Sequence, residues 1–169
     1  MTVPQAVQGT RPSVVRIAVE PDCVHHELKS YDHWVVWKAK PKEDSDGFDK
    51  VLYDLHTGLK ASVTDSRRWV SFDEAVAAYL RDGWGGIGFV FSSGDPFTGI
   101  DLDGVRDPDT GVLTEWARKV IDAFGGCTEV SPSGKGVHIY VKGDVPSKKG
   151  SGIEVYSTKR FFTVTGVRP

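Results

Sequence analysis

Cysteine is scarce in this chain. Only Cys23 and Cys127 occur in 169 residues, too few for a disulfide framework, and that points to a reducing compartment. No apolar run reaches the ~20 residues that a membrane helix needs, and the N-terminus lacks a signal-peptide apolar segment. A cytoplasmic location and no membrane partner are therefore expected. Excess positive charge is missing too, since 21 Lys and Arg against 23 Asp and Glu leave a formal net charge of −2. This argues against a basic protein that simply coats nucleic acid, and it leaves room for an enzyme whose acids offset a basic groove. Internal repeats and low-complexity tracts are absent. Several site signatures also fail. Glu129 stands where a Walker A loop needs its first glycine, and Gly136 where it needs Ser or Thr. An EF-hand starting at Asp101 would meet Arg106 in place of glycine and Val112 in place of glutamate. Cys23 with His25 and His26 has no second ligand pair to complete a zinc site. No Ser-His-Asp or Cys-His arrangement has a defensible spacing.

What remains is an ordinary globular composition, 39% hydrophobic and 26% charged, in a chain long enough for one domain with a real core. Residues 1–22, with Pro4, Gly9, Pro12 and Pro21, read as a flexible arm, and 23–169 as the folded domain. A short helix is expected over 24–30, and strands over 33–38 and 50–53 with a charged loop between them. Ser71-Phe72-Asp73-Glu74 is a capping box. It opens a helix through Ala75, Val76, Tyr79 and Leu80, closed by Gly83. Strands over 86–91 and 97–103 flank a turn at 92–96 and are expected to form a hairpin. A second helix starts at Thr114, carries Trp116, Val120, Ile121 and Phe124 at helical spacing, and stops at Gly125-Gly126. Strands at 127–131 and 137–141 surround a Pro-Ser-Gly-Lys-Gly turn, and 153–156 with 161–165 read as a final hairpin. Strand pairs broken by single helices predict an α+β fold, an antiparallel sheet backed by helices. Trp34, Trp37, Trp69 and Trp116 are expected in the core, and Trp84 at the surface.

Three segments carry chemistry. Thr98-Gly99-Ile100-Asp101-Leu102-Asp103-Gly104 ends an apolar run in two aspartates one residue apart, which alternation places on one face of a strand. Two neighbouring carboxylates repel, and a divalent cation is what makes that arrangement favourable. The alternative is an acidic strand end at the surface. Ser131-Pro132-Ser133-Gly134-Lys135-Gly136-Val137-His138 places small residues, a lysine and a histidine on one turn and its exit strand. There Ser133, Lys135 and His138 can donate to a polyphosphate; a plain hairpin turn is the other reading. Glu154, set between Ile153 and Val155, is either a solvated strand residue or a third carboxylate beside the first two. Lys159 and Arg160 suit phosphate or a charged hairpin turn, and Lys38, Lys50 and Lys60 are weaker basic candidates.

In this order and spacing the segments resemble the archaeo-eukaryotic primase superfamily, in particular the primase–polymerase domain of plasmid and phage replication proteins. That family carries h-h-h-D-h-D/E, then s-x-H, then h-D/E. Here these correspond to Gly99-Ile100-Asp101-Leu102-Asp103, Gly136-Val137-His138 and Ile153-Glu154, and the similarity runs from about residue 30 to 167. The flanks agree: Trp34-Val35-Val36-Trp37, Trp69 to Ala75, and Arg160 to Gly166.

The resemblance implies a primase–polymerase fold, an N-terminal α/β unit packed on an RRM-like antiparallel catalytic sheet, with the site in the groove between them. It implies that Asp101, Asp103 and Glu154 bind two Mg²⁺ or Mn²⁺ ions. His138 would contact the incoming nucleotide, with Ser131, Ser133, Lys135, Lys159 and Arg160 as further nucleotide-binding residues. The implied partners are a single-stranded DNA template, a primer, dNTPs or NTPs, and a fused or associated helicase. The implied activity is template-directed nucleotidyl transfer by a DNA primase/DNA polymerase, the catalytic core of a larger replication protein. Gly136 departs from a serine at the small position, so Ser131 or Ser133 is expected to substitute for its hydroxyl. The alternative is a non-catalytic RRM-like nucleic-acid-binding replication module. A D-x-D nucleotide-sugar transferase is disfavoured by the short chain and the 131–138 motif.

Overall fold

The computed structural model describes residues 16–43, 47–81, 83–143 and 145–169. The expected arm lies outside the described residues over 1–15. Residues 16–20 run along the body: Ile17 N–H donates to Gly85 O at 2.7 Å and Glu20 N–H to Thr165 O at 2.8 Å. The short helix expected over 24–30 is instead two 3₁₀ turns, Pro21–Cys23 and Leu28–Ser30.

Strands β1 (Trp34–Pro41), β2 (Phe48–Tyr53), β3 (Gly86–Phe91) and β9 (Arg160–Val164) build one antiparallel sheet in the order β2-β1-β3-β9. A second sheet, in the order β5-β6-β4-β8-β7, is built from β4 (Phe97–Leu102), β5 (Cys127–Val130), β6 (Val137–Lys142), β7 (Lys148–Gly150) and β8 (Ile153–Tyr156). The architecture is α+β, as expected. Helix α1 (Phe72–Arg81) covers the first sheet and α2 (Glu115–Phe124) the second.

Both long hairpins expected from the sequence are absent. β3 and β4 are consecutive but lie in different sheets, and so do β8 and β9. The reason is that β3 is sandwiched between β1 and β9 while β4 is sandwiched between β6 and β8, leaving neither an edge for the other. The run Gly86–Phe91 is buried at every position, the pattern of a strand covered on both faces. The turn after it is held by Asp95, whose carboxylate accepts from Ser92 N and Phe97 N, both at 2.8 Å. It carries the chain from one sheet to the other. Strand β7, not foreseen, pairs with β8 through a tight turn at Ser151-Gly152.

The capping box forms as read: Glu74 N–H donates to Ser71 Oγ at 3.3 Å, and Ser71 N–H to Glu74 Oε2 at 3.0 Å. Ala75, Ala78 and Tyr79 face the sheet, whereas Leu80 points outward. In α2, capped by Thr114 and ended by Gly125, Ala117 is the buried residue, and Trp116 and Phe124 are exposed. Trp84, expected at the surface, is buried, with Lys38 Nζ 4.4 Å over its ring and Tyr53 against it at 5.6 Å. Trp34, Trp37, Phe89 and Phe91 are fully buried in the first sheet, each contributing roughly 2–3 kcal/mol of apolar transfer.

Alternation in the second sheet sorts its two faces. Ile100, Leu102, Val137, Ile139, Val141 and Val155 form a core with α2 residues Ala117, Val120 and Ile121. The opposite face looks at the first sheet, and Gly99 allows the approach, because a Cβ there would collide with the rings of Phe91 and Phe162. One sheet's aromatics rest on the other's backbone, and beside them a cleft opens.

Candidate active site

The register of the second sheet puts five polar residues in one row across its strands. Glu129 of β5 pairs with His138 of β6, His138 with Asp101 of β4, Asp101 with Glu154 of β8, and Glu154 with Lys149 of β7. Directly opposite side chains lie about 5 Å apart at Cβ, and like charges so placed destabilise a sheet. Asp101 beside Glu154 is thus an arrangement that folding alone disfavours.

The row lies at the wall of a cleft of about 490 Å³. Asp101, His138, Glu154, Lys159 and Arg160 line it, together with Lys50 and Tyr156. Lys50 reaches in from the first sheet, so the cleft is walled by both. Burial pushes the Lys50 ammonium below its ordinary value, and Asp101 opposes that shift. Burial likewise pushes the Asp101 carboxyl up; His138 and Lys50 oppose this, while Asp103 and Glu154 add to it. Asp101 Oδ1 is buried without a hydrogen-bond partner, and His138 Nε2 stands 3.8 Å from it.

Glu154 is differently placed. Lys149 Nζ lies 2.8 Å from its Oε1, and Tyr156 donates to Oε2 at 2.6 Å. These bonds hold its carboxyl below the usual range. Arg160 donates to the Tyr156 hydroxyl at 3.2 Å and covers the ring at 4.7 Å. Asp103 lies one residue beyond β4, exposed, with its N–H donating to Gly152 O at 3.1 Å.

His138 is fixed on two sides. Its ring stacks on Phe162 at 4.5 Å, and its Nδ1 lies 3.3 Å from Glu129 Oε1. Glu129 can accept from an Nδ1–H, and the ring so held directs Nε2 at Asp101. Glu129 is itself buried, and it accepts from Tyr140 OH at 2.8 Å, Thr165 N at 3.1 Å and Gly166 N at 2.7 Å.

The turn at 131–136 sits apart from this row. Ser131, Ser133 and Lys135 do not line the cleft. Lys135 O accepts from Arg106 N at 2.9 Å, and Arg106 Nη1 donates to Gly134 O at 2.9 Å, which holds the turn against the chain leaving β4. Gly136 has a packing reason: a Cβ would strike the Leu102 carbonyl, and Ser131 Oγ lies 3.1 Å from the same point. The small position before the histidine is therefore set by how closely β6 crosses β4. Cys23, His25 and His26 do not converge as a metal-holding group among the described residues.

Two participants escaped the sequence reading. In the sequence Glu129 stands out only as a residue that spoils a Walker loop, and Lys50 only as a weak basic candidate. The signal for Glu129 was present: closing a turn at 131–136 pairs Val130 with Val137, and hence Glu129 with His138. Lys50 gave no such signal, because its neighbour Asp101 lies in the other sheet.

A divalent ion can be tested against these residues. Among those described, no group of three or more His, Cys, Asp or Glu side chains converges as a ready-made metal cluster. The unpartnered buried oxygen of Asp101, with Asp103 and Glu154 beside it, nevertheless matches what a hard, oxygen-seeking cation uses.

No protein-family model matches the chain. A protein of Nitratiruptor phage NrS-1 described as a DNA primase-polymerase is 42% identical over 147 residues, covering 82% of this chain and 20% of that protein. The chain thus spans about a fifth of the length of this relative.

Two stability effects follow from the row. Because the Asp101 carboxyl is raised above its unfolded value, its charge penalises the folded state at high pH. The penalty is absent at pH values where both states are protonated, and complete above the folded-state pKa. Asp101→Asn should therefore melt higher than wild type at pH 7, with the gain shrinking as pH falls through the carboxylate range; an equal or lower melting point at pH 7 would refute this. Glu129→Ala strands the Tyr140, Thr165 and Gly166 donors and removes the partner of His138 Nδ1, and it should cost about 3–5 kcal/mol in denaturant unfolding. A loss below about 0.5 kcal/mol, the scale of a neutral surface change, would show that the network carries no weight.

Proposed function

We propose that the chain carries a primase–polymerase domain, a reading its 42% identity to the phage DNA primase-polymerase supports, and that it catalyses template-directed nucleotidyl transfer in the cleft between its two sheets. The observation that carries the proposal is the row across the second sheet. It sets the bare oxygen of Asp101 between His138 and Glu154, with Lys50 facing it from the first sheet. Structural packing has no use for that oxygen, whereas phosphoryl chemistry has.

Asp101, Asp103 and Glu154 are the residues that would hold two Mg²⁺ or Mn²⁺ ions. When bound, such ions make the attacking 3′-hydroxyl more acidic and neutralise charge on the pyrophosphate that leaves. The chain's own groups do the positioning. His138, kept in one orientation by Glu129 and Phe162, directs Nε2 at the cleft. Lys50 and Arg160 supply positive charge for a triphosphate, with Lys159 on the border of the cleft. Ser131, Ser133 and Lys135, held at the far end of β4, would meet it only beyond the rim near Asp103. The 3′-hydroxyl gives up its proton to solvent and its oxygen bonds to the α-phosphorus of the incoming nucleotide as the bond to pyrophosphate breaks; position and electrostatics suffice, with no covalent enzyme intermediate. Tyr156 and Arg160 tie Glu154 into the same wall.

Single-stranded DNA template, primer and dNTPs or NTPs are the proposed substrates. The greater length of the phage relative supports reading the domain as the catalytic core of a longer replication protein, with a fused or associated helicase as partner. Among the described residues no helix is long and apolar enough to cross a membrane.

Extension of a labelled primer on single-stranded template, with Mg²⁺ or Mn²⁺, tests the proposal. Wild type should extend and Asp101→Ala should lose at least about a hundredfold in rate, the scale of removing a group that stabilises the transition state. Extension undiminished in the variant would remove Asp101 from the chemistry. Binding of DNA by the wild type with no incorporation under either metal would favour the non-catalytic module.

A further inference from the structure

A second groove, of about 580 Å³, adjoins the cleft. The two share Val63 and Lys159, so the groove continues from the cleft over a single ridge. Its floor is aromatic: the half-buried Trp69 meets His33 edge-on at 4.9 Å. His33 is in turn held by Asp95 at 3.1 Å. Hydroxyls of Ser66, Ser93 and Thr158 lie along its sides, and among the described lining residues there is no carboxylate. The residue on the ridge is unusual as well. Lys159 has φ 55°, the one non-glycine residue with positive φ among those described. Its N–H is bound to Phe91 O at 3.0 Å, which pins the strained backbone in place. The conformation holds an exposed cation on the border of the two cavities, which makes it a candidate functional position.

We infer that this groove holds an unpaired nucleotide of the template strand next to the one being copied, its base on Trp69 and its phosphate at Lys159. The inference rests on the polymerase reading for calling the strand a template. The chemistry selects the occupant. A metal-bound triphosphate needs carboxylates and several cations, which the cleft has and the groove lacks. An aromatic platform, hydroxyls and one cation per phosphate are what sequence-independent single-strand binding uses. The incoming nucleotide and the unpaired strand thus occupy neighbouring compartments, with Lys159 between them.

The test is binding of a fluorescent oligothymidylate by anisotropy, without nucleotide or metal, beside separate binding of Mn²⁺·dNTP. Trp69→Ala should weaken oligonucleotide binding about tenfold or more, the effect of losing one stacked base. Trp69→Phe should restore most of it, and dNTP binding should be unchanged in both. Lys159→Gly relieves the left-handed strain, so it should fold at least as well, and it should lower the salt dependence of oligonucleotide binding by about one phosphate contact. Oligonucleotide affinity unaffected by Trp69→Ala, an unaltered salt slope in Lys159→Gly, or no oligonucleotide binding by the wild type would each overturn the inference. A loss of dNTP affinity in a folded Trp69→Ala variant would also overturn it, assigning the groove to the incoming base. Because the oligonucleotide arm contains no nucleotide substrate, its outcome stands whether or not the cleft proves to incorporate nucleotides.

Discussion

A single buried carboxylate ties this molecule together. Glu129 sits on β5 of the second sheet, yet two of its bonds go to the backbone N–H groups of Thr165 and Gly166, just past β9 of the first sheet. A third goes to Tyr140, and the fourth contact is His138. A carboxylate taken out of water must be surrounded by donors or it costs several kcal/mol. Here the donors come from both sheets and from the cleft. Satisfying Glu129 therefore fixes how the chain leaves the first sheet, how β5 and β6 align, and which way the histidine points.

The cleft shows the opposite policy. Asp101 has one oxygen without a partner and a carboxyl raised by burial, and it stands opposite Glu154. Glu154 is quieted by Lys149 and Tyr156; Asp101 is not. Within one row of a sheet, then, Glu129 is fully bonded while Asp101, at the cleft wall, keeps one buried oxygen unbonded. The two carboxylates differ in this although both project from the same row of the sheet. Functional sites are where folds tolerate such unsatisfied groups.

Much of this was legible in the sequence, and what failed did so for one physical reason. Local features read correctly: the capping box at Ser71, the start of the second helix at Thr114, the turn at 131–136 and most strands, because short-range chemistry specifies them. The pairing of Asp101, His138 and Glu154 was reachable through alternation and their similarity to a known motif order. Assignment of strands to sheets was not. β3 followed by β4, and β8 followed by β9, look like hairpins because adjacent strands usually pair. Only the distant strands β1, β6 and β9 reveal that their edges are already taken. Lys50 was undervalued for the same reason. The tryptophans failed through side-chain neighbours: Trp84 is drawn inward by Tyr53 and Lys38, and Trp116 is turned out because Ala117 takes the inward position on α2.

The most direct measurement of the central claim is anomalous diffraction at the manganese edge from crystals of this protein soaked with Mn²⁺ and a non-hydrolysable dNTP. Manganese should be bonded to Asp101 and to Asp103 or Glu154, with the nucleotide's phosphates facing His138 and Lys50. Nucleotide bound elsewhere, or manganese absent from Asp101 while nucleotide fills the cleft, would contradict it.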